Sequence, residues 1–347
     1  MKHIIKFLAL AIITAALSGC RGGGNRSAII FDTDFGNDVD DALAADMLFK
    51  YADEGKIDLL AIMTSKKGDI PAGYARMLCN WYGHPEVAVA QVEDGADSED
   101  PNVTNYAEKV CSMTSEDGSA LFAEVEEPDN ALPAHILYRK ILSGAKNHSI
   151  DIVCTGFSTN LAKLLDTPAD RWSHFDGKKL VAKKVRCLYM MAGNFTEGAG
   201  PEFNVVKDIP AARKVLEQWP GEIIISPFDV GQSILYPGEC ATDDFAWQHG
   251  EPHPVLESYR CYLPMPYDRP TWDLTSVLCA VEGTKWFSLS VKGNVSVDDS
   301  GRTSFTPDDK GSRRYMMVDS TGAAKTLAHF EKIISEEPLR HGTGTEQ

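Results

Sequence analysis

Short apolar runs recur along the chain, and between them the apolar spacing switches from the two-residue step of strands to the three-and-four step of helices. Residues 27–34 (SAIIFDTD), 57–65 (IDLLAIMTS) and 87–92 (VAVAQV) read as strands, with helices over 42–51 and 71–83 between them. The pattern continues with a helix over 130–143, a strand over 149–157, a helix opening at 158 (STNLAKLL), and a strand over 185–193. A helix over 209–219, a strand over 221–231 and a closing helix over 326–337 complete it. Strands separated by helices predict an α/β fold with a mostly parallel central sheet covered by helices on both faces. Residues 287–307 alternate around glycine turns and predict a small antiparallel hairpin near the C-terminus. Residues 93–129 are acidic and poorly periodic and read as a long surface excursion. No linker divides the chain, so one domain is expected over 27–340.

The 347 residues are 43% hydrophobic, enough for a substantial core, and carry a formal net charge of −16. That balance argues against a nucleic-acid partner, whose backbone calls for a basic face. The N-terminus lies outside the expected fold. Residues 1–19 have a basic start (Lys2, Lys6), an apolar stretch and small residues ahead of Cys20, the pattern of a secretory signal. Its ending, Leu17-Ser18-Gly19-Cys20, resembles a bacterial lipobox. The resemblance implies cleavage before Cys20, a lipid on that cysteine, a flexible tether over 20–26, and a protein anchored in the cell envelope on the periplasmic face or outer surface. The other seven cysteines are scattered, without a C-x-x-C pair or zinc spacing, and read mostly as buried small apolar residues.

The first strand runs into FDTDFGNDVDDALAADML (31–48), where Asp32, Asp34, Asp38, Asp40 and Asp41 crowd together. Like charges at a strand end need a counter-charge or open water. A hard divalent cation supplies the first: Ca²⁺ takes about 6–8 oxygen ligands and accepts carboxylates and carbonyls alike. Gly36 permits the tight turn such a loop needs, and the spacing is not that of an EF-hand, since Leu43 stands where the last acidic ligand would be. One capping aspartate with the rest in solvent is the bland reading of the same residues. In parallel sheets ligands bind beyond the C-terminal strand ends. There the sequence also places Thr155–Asn160, Asn194 with Glu202 and Asn204, and Trp272-Asp273.

DTDFGNDVDDA resembles the DxDxGxDDA signature of the inosine–uridine-preferring nucleoside hydrolase family, with two extra residues before the DDA. In order, CTGFSTNLAKLL, MMAGNF with PEFNVVKD, and RPTWDLTSVL resemble the family's TGPLTNIA, MGG with EFNV, and PLHDPLAV segments. The resemblance runs from about residue 28 to 285 and implies a Rossmann-like fold. It also implies an N-glycosyl hydrolase that splits nucleosides into base and ribose with a tightly held Ca²⁺ binding a water and the ribose diol, for nucleoside salvage. Carried over, Asp34 is the catalytic base and a metal ligand, and Asp41, Asp273 and the Thr155 carbonyl are further ligands. Asp40, Glu202 and Asn204 contact ribose, Asn194 stands as a further substrate residue, and Trp272 can stack on a base. Asp38 has no counterpart and could exchange roles with Asp40.

Two features depart from the family pattern. Trp272 stands where a histidine acid precedes the last aspartate, so the leaving-group acid is unassigned. His249, His253, Tyr259, Tyr262 and Tyr267 lie in the segment before it. Residues 65–69 replace the segment where an asparagine follows the second strand. A non-catalytic nucleoside-binding lipoprotein and a haloacid-dehalogenase-type phosphatase are the alternatives. The latter is disfavoured because Gly36 stands where that family has Thr or Val. Whether the chain forms a homo-oligomer is left open.

Overall fold

The apolar runs become strands buried on both sides. The computed structural model describes residues 26–96, 105–123, 125–127, 131–249 and 251–341. Six parallel strands carry the fold: β1 (Ser27–Thr33), β2 (Ile57–Lys66), β3 (Ala88–Ala96), β4 (Ile150–Cys154), β5 (Val185–Met191) and β6 (Glu222–Ser226). They lie side by side in the order β3-β2-β1-β4-β5-β6. Alternation along β1 divides the core: Ile29 and Phe31 face one apolar layer and Ile30 the other. The helices Asp40–Asp53, Ile70–Trp81, Trp272–Glu282 and Ser320–Ser335 cover the first face, and Ala134–Gly144, Thr159–Asp166, Gly177–Lys184 and Ile209–Gln218 cover the second.

After β6 come two short strands, β7 (Leu235–Tyr236) and β8 (Arg269–Pro270), paired as a separate two-stranded antiparallel sheet. The tail adds β9 (Ser288–Leu289), β10 (Gly293–Val297), β11 (Thr303–Pro307) and β12 (Arg313–Met317). The expected hairpin is β10 with β11, and it extends the main sheet through β12, which pairs parallel with β6.

Several boundaries differ from the periodicity. Residues 221–231 read as one strand, but Pro227 ends β6 and the chain turns into the helix Phe228–Gln232. The strand over 149–157 stops at Cys154, because the Thr155 and Gly156 N–H groups both turn to donate to the Asp32 carbonyl. The helices Gly177–Lys184, Pro254–Tyr262 and Trp272–Glu282 were not legible as such. The excursion over 93–129 begins inside β3 and contains the short helix Tyr106–Cys111. The seven described cysteines are free thiols, and Cys20 with the signal segment lies outside the described residues. Among the described residues no helix is long and apolar enough to cross a membrane.

The strand order reverses between β1 and β4. Helices leave these neighbouring strands toward opposite faces, so a crevice opens past their C-terminal ends. Gly156 brings the two ends into contact. A Cβ there would lie 2.3 Å from Ser65 Oγ and 2.8 Å from the Asp34 backbone nitrogen. Ser65 ties the same point together, donating to the Thr33 carbonyl and accepting from the Phe157 N–H. Gly156→Ala is therefore expected to destabilise the fold by about 1–3 kcal/mol, the usual cost of overpacking, read as a lower denaturation midpoint. An unchanged midpoint would show that the β1–β4 junction is not tight.

Candidate active site

The crevice is a cleft of about 270 Å³ lined by residues from several separate stretches of chain. The β1 loop brings Asp34, Asn37, Asp38, Asp40 and Asp41, and the end of β4 brings Thr155. Glu202 and Asn204 come from the loop after β5, and Arg269, Trp272 and Asp273 from β8 and the helix that follows. Of the expected metal and substrate residues, all but Asn194 line it. Asn194 belongs to a neighbouring hollow beside β11, where its side chain accepts from the Thr196 N–H and its backbone pairs with Thr303.

The β1 loop works because Gly36 holds φ at +101°, which swings the chain back so that Asp40 and Asp41 open the helix Asp40–Asp53. Both carboxylates then sit in the first turn, where the helix dipole favours negative charge. Asp40 accepts from the Asp273 N–H at 3.0 Å, joining this loop to the helix Trp272–Glu282. Asp41 accepts from the Thr33 hydroxyl and shares a hydrogen bond with the Asp273 side chain. Asp34 accepts from the Asn37 amide at 2.5 Å. Asp38 and Asp40 are bound differently: Asp38 forms a two-point ion pair with Arg269, while Asp40 bonds to the Asp273 N–H.

Opposite this loop, Glu202 caps the helix Phe203–Lys207, accepting from the N–H groups of Asn204, Val205 and Gly193. Asn204 donates to the Thr155 carbonyl at 2.8 Å, so the β4 and β5 ends are locked in register. Beneath the cleft lies Asp32, which the sequence reading left without a role. It accepts from the Tyr138 hydroxyl and the Asn160 amide.

Burial dominates the electrostatics. Asp34, Asp40, Asp41 and Asp273 are each no more than 5% exposed. Desolvation lifts Asp34 to about 7 against the opposing Asn37 bond and the nearby Lys66 charge. Asp40, Asp41 and Asp273 are pushed well above the usual carboxylate range by burial and then by neighbouring carboxylates: Asp38 and Asp41 act on Asp40, Asp34 and Asp38 on Asp41, and Asp40 and Asp41 on Asp273. Glu202 and Asp32, both buried, rise to about 7 for the first of these reasons, despite hydrogen bonds that oppose the shift. At contact distance each pair of like charges costs about 4 kcal/mol at an effective dielectric constant near 20. Two protein cations stand close: Arg269, committed to Asp38, and Lys66, buried beside Asp34. Lys66 falls in the 65–69 segment where the sequence pointed to no replacement.

Among the described residues no three His, Cys, Asp or Glu side chains are already drawn together as a metal shell. The carboxylates instead bond to Thr33, to Asn37 and to each other. The donor chemistry nevertheless fits a hard dication. Four buried carboxylates and a strand-end carbonyl are all oxygen donors, and they are short of positive charge.

The far wall is aromatic. The Trp272 indole N–H donates to the Phe228 carbonyl at 2.9 Å, and its ring lies against Phe228. The Arg269 guanidinium sits over both Trp272 and Tyr262, 5.3 and 5.0 Å from the ring centroids. Burial works against its charge, but the bond to Asp38 outweighs this and holds Arg269 above its ordinary value. Of the five candidate acids upstream of Trp272, Tyr262 alone lines the cleft. His253 is fully buried among Trp81, Phe245 and Trp247, where desolvation lowers its pKa, and Tyr267 stacks on Tyr259. Arg269 was absent from the sequence reading, although its place three residues before Trp272 was a usable signal.

Comparison with known proteins gives this architecture relatives. The fold matches a purine-preferring ribonucleoside hydrolase from Gardnerella vaginalis at a TM-score of 0.67 and 17% identity, covering 89% of this chain and 98% of that one. It matches an inosine-uridine preferring nucleoside hydrolase from Bacillus anthracis at 0.65 and 16%, covering 88% and 99%. The type III effector protein XopQ, complexed with adenosine diphosphate ribose, matches at 0.61 and 17%, covering 90% and 95%. At these identities the likeness establishes the fold. No curated protein matches the chain. The model of the inosine-uridine preferring nucleoside hydrolases matches residues 29–327, which leaves no room for the phosphatase alternative. The chain accordingly belongs to the inosine-uridine preferring nucleoside hydrolase family, whose enzymes are N-glycosyl hydrolases and typically depend on a metal.

Proposed function

We propose that this cleft hydrolyses the N-glycosidic bond of ribonucleosides with Ca²⁺ bound by Asp34, Asp41, Asp273 and the Thr155 carbonyl, releasing base and ribose. The observation that carries this reading is the convergence of four buried, mutually repelling carboxylates with Glu202 and Asn204 across one small cleft. A hard dication there supplies the charge that polarises water and gathers vicinal sugar hydroxyls. The chain's own residues do the rest. Asp34, aimed by Asn37, takes the proton of the attacking water. Glu202 and Asn204, fixed by their loop bonds, hold the sugar so that its anomeric carbon faces that water, which removes most of the entropic cost of encounter. Asp40, which also lines the cleft, contacts a ribose hydroxyl and anchors Asp273 through its N–H. The transition state is oxocarbenium-like, and carboxylates flanking the ring stabilise its positive charge. The adenosine diphosphate ribose in the XopQ complex, on the same fold, supports a ribosyl ligand. We further propose that residues 27–340 form one catalytic unit held to the cell envelope by a lipid on Cys20 through the 20–26 tether.

Three outcomes follow. Purified residues 21–347 with Ca²⁺ should release ribose from a panel of nucleosides, and Asp34→Asn should lower kcat by at least about 10³-fold, in line with loss of a general base. Tight ribose binding without turnover would instead identify a binding protein.

Calcium should raise the denaturation midpoint by an amount that grows with its concentration, about 2.7 kcal/mol at a hundredfold excess over Kd. Asp273→Asn should abolish that gain. In chelator the stability should fall as pH rises. The folded carboxyls of Asp34, Glu202 and Asp32 bind their protons up to about 7, whereas unfolded carboxyls let go near 4. The cation-free fold is therefore favoured at low pH and loses stability as pH rises from about 4 to about 7. Added Ca²⁺ should flatten that loss, and a chelated protein equally stable at pH 5 and pH 7.5 would contradict the assignment.

For the anchor, cells fed a labelled fatty acid should label the full chain, and Cys20→Ala should abolish the label. A wild-type chain without label would exclude the lipid.

A further inference from the structure

Breaking the bond between C1′ and the base sends its electron pair onto a ring nitrogen, and nothing assigned so far receives that charge. The Trp272 N–H is spent on the Phe228 carbonyl, and of the upstream histidines and tyrosines Tyr262 alone lines the cleft. Arg269 lines it as well. Its backbone is held in β8, paired with Tyr236 of β7, and the next turn is fixed by Thr271 N–H bonds to the Gly231 and Ile234 carbonyls. Its side chain is pinned on three sides. Asp38 takes Nε and Nη2, and the rings of Tyr262 and Trp272 lie under the guanidinium plane. A guanidinium has five N–H groups in a fixed fork. With Nε and one Nη2 hydrogen on Asp38, the end formed by Nη1 and the second Nη2 hydrogen carries no bond to another described residue.

We propose that Arg269 stabilises the departing base as an anion, taking the place of a proton donor, so that this cleft favours ribosides whose aglycone leaves with negative charge over those whose aglycone is cationic before cleavage and leaves neutral. The inference rests on the hydrolase reading above. The balance is complete. The C1′–N bond breaks with its pair on the base, the water oxygen forms the C1′–O bond, the water proton passes to Asp34, and the base anion is protonated by solvent after release. Arginine does not give up a proton near neutral pH, so its part is electrostatic and hydrogen-bonding, and preorganisation makes it effective. Asp38 is a positioning residue: it holds one edge of the fork and leaves the other edge without a bond to another described residue. Trp272 is the platform on which the fork rests.

The experiment compares kcat/KM for inosine, whose base leaves as an anion, with that for nicotinamide riboside, whose base leaves neutral, in Ca²⁺. For Arg269→Gln the inosine-to-nicotinamide-riboside ratio should fall by about 100-fold, the scale seen when one donor to a developing anion is removed. Arg269→Lys keeps the charge but not the fork and should give an intermediate fall. Because the readout is a ratio of two substrates on one preparation, partial misfolding does not imitate it. Wild type active on inosine with the ratio unchanged in both variants, or both substrates lost equally in both, overturns the role of Arg269 and leaves the hydrolase reading standing. Ribose from neither substrate with the wild type overturns the hydrolase reading and this inference with it.

Discussion

Uncompensated negative charge at the end of β1 is the constraint around which this molecule is arranged. Aspartates 34, 40, 41 and 273 are buried together, and desolvation and neighbouring carboxylate charge raise their proton affinity. A fold gains nothing from such a group in isolation, since a buried charge costs several kcal/mol unless it is paired. The cation proposed above would compensate this charge at one strand end, where the Asp40–Asp273 bond bridges two distant stretches of chain.

The rest of the architecture serves that point. The reversal of strand order between β1 and β4 opens the crevice, and Gly156 lets the two strand ends close to van der Waals contact. Asn204 ties the loop after β5 to the Thr155 carbonyl, and Glu202 uses backbone N–H groups to stay in place. The sugar side of the cleft is thereby rigid before any ligand arrives, which is where catalytic positioning has to come from. The base side is built differently, from an arginine laid on aromatic rings and clamped by Asp38. In the proposed reaction the two halves divide the charges: carboxylates face the sugar as it becomes positive, and the guanidinium faces the base as it becomes negative.

The parallel strands were legible because burial on both faces forces continuous apolar runs, as in β4 and β6. The acidic loop was legible because five aspartates at a strand end have few bland explanations. Less visible were elements whose pattern is set by long-range partners. The helix Trp272–Glu282 is so thoroughly buried that it lacks a polar face, and the short strands β7 and β8 exist through a pairing across more than thirty residues. Asn194 looked like a site residue from its place after β5, but the loop turns there toward Thr303 and leaves the cleft to Glu202 and Asn204. Lys66 and Arg269 escaped notice because single basic residues are usually surface residues, and only the fold brings these two beside the carboxylates.

The central claim is that the carboxylates cage one hard dication, and a crystal grown in Ca²⁺ with ribose tests it most directly. A single anomalous peak is expected in the cleft within about 2.3–2.6 Å of oxygens from Asp34, Asp41, Asp273 and the Thr155 carbonyl, with the sugar diol beside it. A cleft in which Asp41 keeps its bonds to Thr33 and Asp273, with no such peak at millimolar Ca²⁺, would contradict it.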